Sequence, residues 1–321
     1  MASVLRKVIV RSSAETESGP PKEHSESLPI CVIVTTFNRR DKTSIFLVSL
    51  MQQLEKFNIS AIVVLVDDSS SDGTAEMVLR EFPKVVLLNG TGHLYWAGGV
   101  RLAMNHLENK LHEFQGILLL NDDIVLADES IFTMIKISEN HRALVGGTVM
   151  TYSGEIESSG GSLGRVCKPK TKLKIANGKI QECDLLPGHI MYIPMFVYRG
   201  LGGFDKNLPY RFIDLEFSLR AKRSGIPVLL APKFVAYTEE IHNYYKETSS
   251  MRGTFAELKR RILLDPKGPY WKESVYYLRK VSPLLWWFWL PFFYRAFFVA
   301  VFRSYLERIP FVKKPDSPRY T

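Results

Sequence analysis

Cysteine is nearly absent, with three in 321 residues, at positions 31, 167 and 183. Two of them stand sixteen apart with no second pair, which excludes a disulfide framework and a paired zinc spacing. So little cysteine fits a reducing cytoplasm. There is no internal repeat, which excludes a solenoid or propeller. The start lacks the apolar core of a signal sequence. Val8–Val10 is too short for one, and Ser12 to Ser27 is polar, with Gly19, Pro20 and Pro21. Residues 1–28 are therefore expected to be a disordered lead. A basic surplus is missing from most of the chain. The first 252 residues carry 29 Lys+Arg against 28 Asp+Glu, and residues 253–321 carry 13 against 5. A nucleic-acid-binding surface is excluded on that distribution.

What is present is the composition of a globular enzyme-sized chain, 46% hydrophobic and 23% charged, long enough to bury a core. Ile30–Val34 is a continuous β-branched run, the pattern of a strand buried on both faces. Asp41 is placed to cap a helix carrying Leu47, Leu50, Met51 and Leu54. Ala61–Val66 predicts a second strand, followed by a short helix ending near Phe82, and Val85–Leu88 a third. A helix with Val100, Met104, Leu107 and Leu111 on one stripe leads to a fourth strand, Gly116–Leu120. This alternation predicts a parallel sheet with right-handed crossovers and helices on both faces. Ligands of such sheets bind beyond the carboxyl ends of the strands. TTFNRR (35–40), DDSS (67–70) and NDD (121–123) should therefore converge.

Residues 144–200 read as short strands and loops. Residues 209–225 read as a helix stopped by Gly225, and Val228–Ala236 as another strand. The last segment, 253–321, combines basic residues with WWFWLPFFYRAFFVAVF. Its length would span a bilayer, but Pro283, Pro291 and Arg295 interrupt it. Trp, Tyr and Arg at this density favour helices lying at the headgroup level of an anionic membrane surface. A single span and a core helix hairpin are the alternatives.

Several groups of residues suit particular chemistry. Asp122 and Asp123 at a strand end suit a hard divalent cation that also takes phosphates, or a simple turn. Asp67–Asp68–Ser69–Ser70 offers a carboxylate to a base N–H, or a helix cap. The glycines of GHLYWAGG (92–99) precede a helix start, where backbone N–H groups favour phosphate, and Arg101 would add a cation. Asp214 and Glu216 lie about 200° apart on a helix, so only one can face a given atom. His242 is either a metal ligand, a phosphate partner or neither.

Read in order, TTFNRR, VDDSSSDGT, GHLYWAGGVRLAM, LLLNDDIVL and GGFDKNLPYRFIDLEFSLRAKRSG resemble the family-2 glycosyltransferases, over roughly residues 29–250. The likeness is greatest to their bacterial cell-envelope, rhamnosyltransferase-like branch. The resemblance implies a GT-A (Rossmann-like) α/β fold, with a mixed, mostly parallel sheet flanked by helices over 29–252. The membrane-associating helical tail would follow from 253. It places Thr35, Phe37, Asn38 and Arg39 at the donor nucleotide, with Asp68 reading the base of a UDP or dTDP donor. Trp96, Gly98 and Gly99 fall beside the donor sugar and diphosphate, with Arg101 near. Asn121–Asp122–Asp123 stands for the family's D-x-D motif. Asp123 would hold Mg²⁺ or Mn²⁺, completed by His242, and Asp122 would lie near the ribose or sugar. Asp214 matches the catalytic base. Gly188, His189 and Glu216 fall where donor sugar and acceptor meet.

The chain departs from the family at Asn121, which replaces an Asp, and at Ile213, which replaces the Glu of a Glu-Asp pair. The function implied is inverting, metal-dependent sugar transfer to a glycan or lipid-linked hydroxyl. The expected site of action is the cytoplasmic face of the plasma membrane, with pairing of two chains through the tail as a further option. The alternatives are a sugar-nucleotide nucleotidyltransferase, which would need a glycine-rich basic loop where TTFNRRDK stands, and a non-catalytic scaffold on the same fold.

Overall fold

The computed structural model describes residues 28–164, 168–239, 255–265, 270–295, 298, 299 and 302. His242, Cys167, the lead before Leu28 and the chain beyond residue 302 lie outside the described residues.

The four predicted strands form. They are β1 (Ile30–Thr36), β2 (Ala61–Asp67), β3 (Val86–Asn89) and β4 (Gly116–Asn121). β1 lies between β2 and β4, all parallel, with β3 beyond β2. The helices between them are α1 (Arg40–Lys56), α2 (Thr74–Glu81) and α3 (Tyr95–Leu107). Asp41, expected as the cap of α1, lies inside its first turn, and Arg39 holds the cap position. After β4 come β5 (Ile124–Leu126), α4 (Ser130–His141), β6 (Leu144–Thr151) and β7 (Ile156–Ser158). A small hairpin, β8 (Gly161–Gly164) with β9 (Lys168–Leu173), stands apart from the main sheet. β10 (Gln181–Glu182), β11 (Ile190–Pro194), α5 (Met195–Gly200), α6 (Ile213–Arg223) and β12 (Val228–Thr238) follow.

The main sheet runs β10-β12-β6-β11-β4-β1-β2-β3. It is a mixed α/β sheet of the GT-A kind. β11 is antiparallel to both neighbours, β4 and β6, so its first residue, Ile190, pairs with Leu120 near the end of β4.

The β-branched runs are explained by two covered faces. Ile30, Val32 and Val34 pack with Phe46, Leu47 and Leu50 of α1 and with Met77 and Val78 of α2. Cys31 and Ile33 pack on the other face with Val100, Ala103 and Met104 of α3 and Phe217 of α6. Alternate residues enter opposite cores because strand side chains alternate. Helix α6 begins four residues later than predicted, because Phe212 takes a left-handed φ of 63°. It ends as expected, with Gly225 at φ 80°.

The last described helices are α7 (Phe255–Leu263), α8 (Trp271–Val281) and α9 (Trp286–Phe293). The expected boundary at 252/253 lies outside the described residues. Tyr277 and Val281 of α8 are buried with Leu185 and Leu219. The Tyr277 ring stacks on Phe212 at 4.5 Å, and Arg223 donates to the carbonyls of Lys280 and Val281. Among the described residues, no helix is long and apolar enough to cross a membrane.

Candidate active site

Register brings the three polar strand ends together. Thr35 pairs with Val66 on one side and Asn121 on the other, and Thr36 pairs with Asp67. The loops beyond are tied to each other. The Asn38 N–H donates to Ser70 Oγ at 2.8 Å, and Asn38 Oδ1 accepts from the Ser71 N–H at 2.8 Å. The Arg40 N–H donates to Asp72 at 2.9 Å. Phe37, beside them, is 45% exposed and open to a ligand. Asn38, Ser69, Tyr95 and Phe212 all have φ between 51° and 63°. Non-glycine residues enter this region at a cost of about 1–2 kcal/mol, and such strain collects at functional sites.

Asp122 and Asp123 sit at the end of β4 with side chains only 4% and 5% exposed. One guanidinium nitrogen, Arg39 Nη1, donates to both, at 2.9 Å to Asp122 and 2.8 Å to Asp123. Thr43 Oγ1, on the first turns of α1, donates to the other Asp122 oxygen at 3.3 Å and lies 2.9 Å from Thr36 Oγ1. Burial pushes the Asp122 carboxyl above the usual carboxylate range, Arg39 pulls it down and Asp123 pushes it up. Thr238 at the end of β12 donates to the Asp123 carbonyl at 2.9 Å, fixing this corner from the far side of the sheet.

The pair fits a divalent cation. Among the described residues no cluster of three His, Cys, Asp or Glu exists. Mg²⁺-type ions, however, need only one or two carboxylates when phosphates and water supply the rest. Two nearly buried adjacent carboxylates already drawing on one cation are such a donor set.

Asp68 has a different set of partners from the one expected. Its oxygens accept three backbone N–H groups, from Gly92 at 2.8 Å, Leu94 at 2.9 Å and Tyr95 at 3.1 Å. It therefore shapes the loop before α3. A nucleobase N–H would be its fourth donor, at the limit of a carboxylate's capacity. Gly90 has no room for a Cβ, which would meet Asp68 Oδ1 at 2.5 Å. Gly99 is likewise fixed, by Thr35 Cγ2 at 2.6 Å, and it seats α3 on β1. Gly98 faces Leu94.

The opposite wall holds Asp214, in the first turn of α6 and half-buried. Its Oδ2 accepts the Gly188 N–H at 2.6 Å. Burial raises its carboxyl above the ordinary range, against hydrogen bonds from the N–H groups of Gly188 and Leu215. Trp96 lies against the Cα of Gly188. The next residue, His189, accepts the Asn121 N–H on its carbonyl at 3.1 Å, and its ring stands 3.7 Å from Glu157. The Gly188–His189 segment thus touches Trp96 and Asp214 at one residue and Asn121, at the end of β4, at the next.

Two expected site residues face elsewhere. Arg101 donates to the carbonyls of Asp205 and Leu208, at 2.5 and 2.7 Å, and so holds a loop rather than a phosphate. Glu216, expected near sugar or acceptor, is buried on the far side of α6, where it pairs with Arg220 at 2.9 Å and Lys280 at 3.3 Å. The 200° separation from Asp214 sends the two carboxylates to opposite faces. Thr43 and Glu157 were not foreseen. Thr43 was detectable as a polar residue on the apolar face of α1, among Phe46, Leu47 and Leu50, whereas Glu157 had no local signal.

The sequence profile of Glycosyl transferase family 2 matches residues 31–199, more than half of the chain. No curated protein sequence matches it. Among solved structures, GalNAc-T7 with UDP, GalNAc and Mn²⁺ aligns with a TM-score of 0.55 at 14% identity, covering 89% of this chain and 57% of that one. The chain thus spans little more than half the length of GalNAc-T7. S. aureus TarS (residues 1–349) aligns at TM-score 0.49 and 14% identity, covering 88% and 76% of the two chains. A mannosyltransferase from Pyrobaculum calidifontis with GDP-Man and Mn²⁺ aligns at TM-score 0.48 and 17% identity, covering 88% and 76%.

Proposed function

Because the chain belongs to glycosyl transferase family 2, we propose that it moves a sugar from a UDP- or dTDP-sugar to a hydroxyl of a glycan or lipid-linked acceptor, with inversion. What supports this reading is a chain of contacts: Asp214 accepts the Gly188 N–H, Trp96 fills the space a side chain at 188 would need, and the His189 carbonyl accepts the N–H of Asn121, the residue before the buried Asp122–Asp123 pair. A charged leaving group and an acceptor hydroxyl need those two functions at adjacent points.

Asp123, with Asp122 beside it, would hold Mg²⁺ or Mn²⁺, which supplies positive charge to the departing diphosphate. The GalNAc-T7 structure, with UDP, GalNAc and Mn²⁺, supports that assignment. Asp214 takes the proton of the acceptor hydroxyl as its oxygen bonds to the anomeric carbon and the carbon–diphosphate bond breaks. Its raised pKa keeps it basic enough for that task. One base and one in-line displacement give inversion without a covalent intermediate. Trp96 covers the donor-sugar side, and Phe37 and Asn38 edge the nucleotide.

The reading extends to a membrane. Trp287 and Phe292 on α9 are 60% and 59% exposed. Phe288, between them, touches Phe292 at 5.5 Å. Arg279 lies 4.3 Å over Trp286, and Arg295 is exposed just beyond. Exposed aromatics beside cations suit the headgroups of an anionic leaflet. The protein would then work at the cytoplasmic face of the plasma membrane, in cell-envelope polysaccharide synthesis of the rhamnosyltransferase-like branch, with pairing of two chains through the tail.

The test is a thermal-shift screen of UDP, dTDP, GDP and CDP with Mn²⁺, on wild-type protein and Asp123→Ala. A native-state ligand raises the melting temperature by mass action. Metal-dependent stabilisation by UDP or dTDP, lost in Asp123→Ala, is the expected result. Folded protein that responds to no nucleotide would overturn it.

A further inference from the structure

We propose that Arg39 is the resident counter-cation of the Asp122–Asp123 pair, and that a divalent cation binds there by displacing its guanidinium. This rests on the reading of the pair as the metal-holding end of the donor site.

The geometry is unlike an ordinary arginine salt bridge. A guanidinium usually meets one carboxylate with two parallel N–H bonds. Here a single nitrogen serves two carboxylates of consecutive residues, at 2.9 and 2.8 Å. It occupies the shared position where a small cation would neutralise both.

The two sides of this contact differ in freedom. The carboxylates are 4% and 5% exposed, and Asp122 is further held by Thr43. The Arg39 side chain is 31% exposed and springs from the residue just before α1, in the loop that carries Phe37 and Asn38. The anions are buried, and the cation is part-exposed. Two buried neighbouring carboxylates left without a cation are destabilised unless one takes up a proton, so exchange of the guanidinium costs less than its withdrawal. Once displaced, its charge stays in the loop at the nucleotide edge, where an anionic diphosphate would arrive. Metal alone must compete with Arg39, whereas metal arriving with a diphosphate gives Arg39 a new partner.

The experiment titrates Mn²⁺ alone into the full chain and follows free Mn²⁺ by electron paramagnetic resonance. Arg39→Gln removes the competitor and should tighten Mn²⁺ binding roughly tenfold, equivalent to about 1.4 kcal/mol. Arg39→Lys keeps the charge on a single ammonium and should fall between the two. Without metal, Arg39→Gln should melt below wild type and recover with Mn²⁺, while Arg39→Lys should stay near wild type. If Arg39→Gln does not fold, Arg39→Lys carries the comparison. Mn²⁺ binding no tighter in either variant than in wild type would overturn the role of Arg39. Asp123→Asn separates the two readings. If it binds Mn²⁺ as wild type does, the pair is not the metal site and the functional reading fails there, whatever Arg39 does.

Discussion

Trp96 lies against the Cα of Gly188, so position 188 has no room for a side chain. That contact ties the start of α3 to the loop that donates to Asp214. Gly188→Ala should force Trp96 aside, at about 1–3 kcal/mol of overpacking. Urea denaturation should show the loss, and Trp96→Ala in the same chain should relieve part of it.

Asp214→Asn removes the proposed proton acceptor while keeping the side chain's shape. Turnover should fall by about 10²–10⁴-fold, the range for a general base. Burial raises the Asp214 pKa, so the base is lost to protonation as pH falls. The acid limb of the wild-type rate profile should therefore lie above the ordinary aspartate value of about 3.9. A profile flat through that limb would remove Asp214 from the role.

Glu216→Ala is the contrasting substitution. It leaves Arg220 and Lys280 facing each other without their shared carboxylate. Breaking such a buried pair costs about 3–5 kcal/mol, less here because both cations are part-exposed. The melting temperature should drop, and the turnover of the protein that remains folded should be close to wild type.

Asp68→Asn replaces one acceptor oxygen with an N–H donor facing backbone N–H groups. Leaving one of them unsatisfied should cost about 1–3 kcal/mol. Hydrogen exchange over residues 90–95 should quicken in this variant more than elsewhere in the chain.

Trp287→Ser with Phe292→Ser should abolish flotation with anionic vesicles, with the fold intact by circular dichroism. Wild type should float with anionic vesicles and less with zwitterionic ones, and added salt should weaken it. Equal flotation of variant and wild type would rule out α9 as the contact.

The parallel half of the fold was legible because buried strands announce themselves. Ile30–Val34 and Ala61–Val66 are apolar on both faces, and polar residues begin where the strands leave the core. Convergence of the loops followed from sheet geometry alone. Ordered motifs made the family readable, and the profile match over residues 31–199 agrees. What stayed hidden depends on pairs distant in sequence. Nothing near Arg101 foretells the carbonyls of Asp205 and Leu208, and nothing near residue 277 foretells its ring on Phe212. The left-handed Phe212, which delays α6, likewise had no local signal.

The reversed direction of β11 has a consequence for how such a site can diversify. Parallel strands deliver β1, β2 and β4 to the site by their ends, whereas β11 delivers what comes before its beginning. The loop before Ile190 thus enters from the opposite sense of the chain. It can lengthen, shorten or change composition before Gly188 without altering the register of β1, β2 or β4. One scaffold can therefore keep the loops at the ends of its parallel strands while this segment varies.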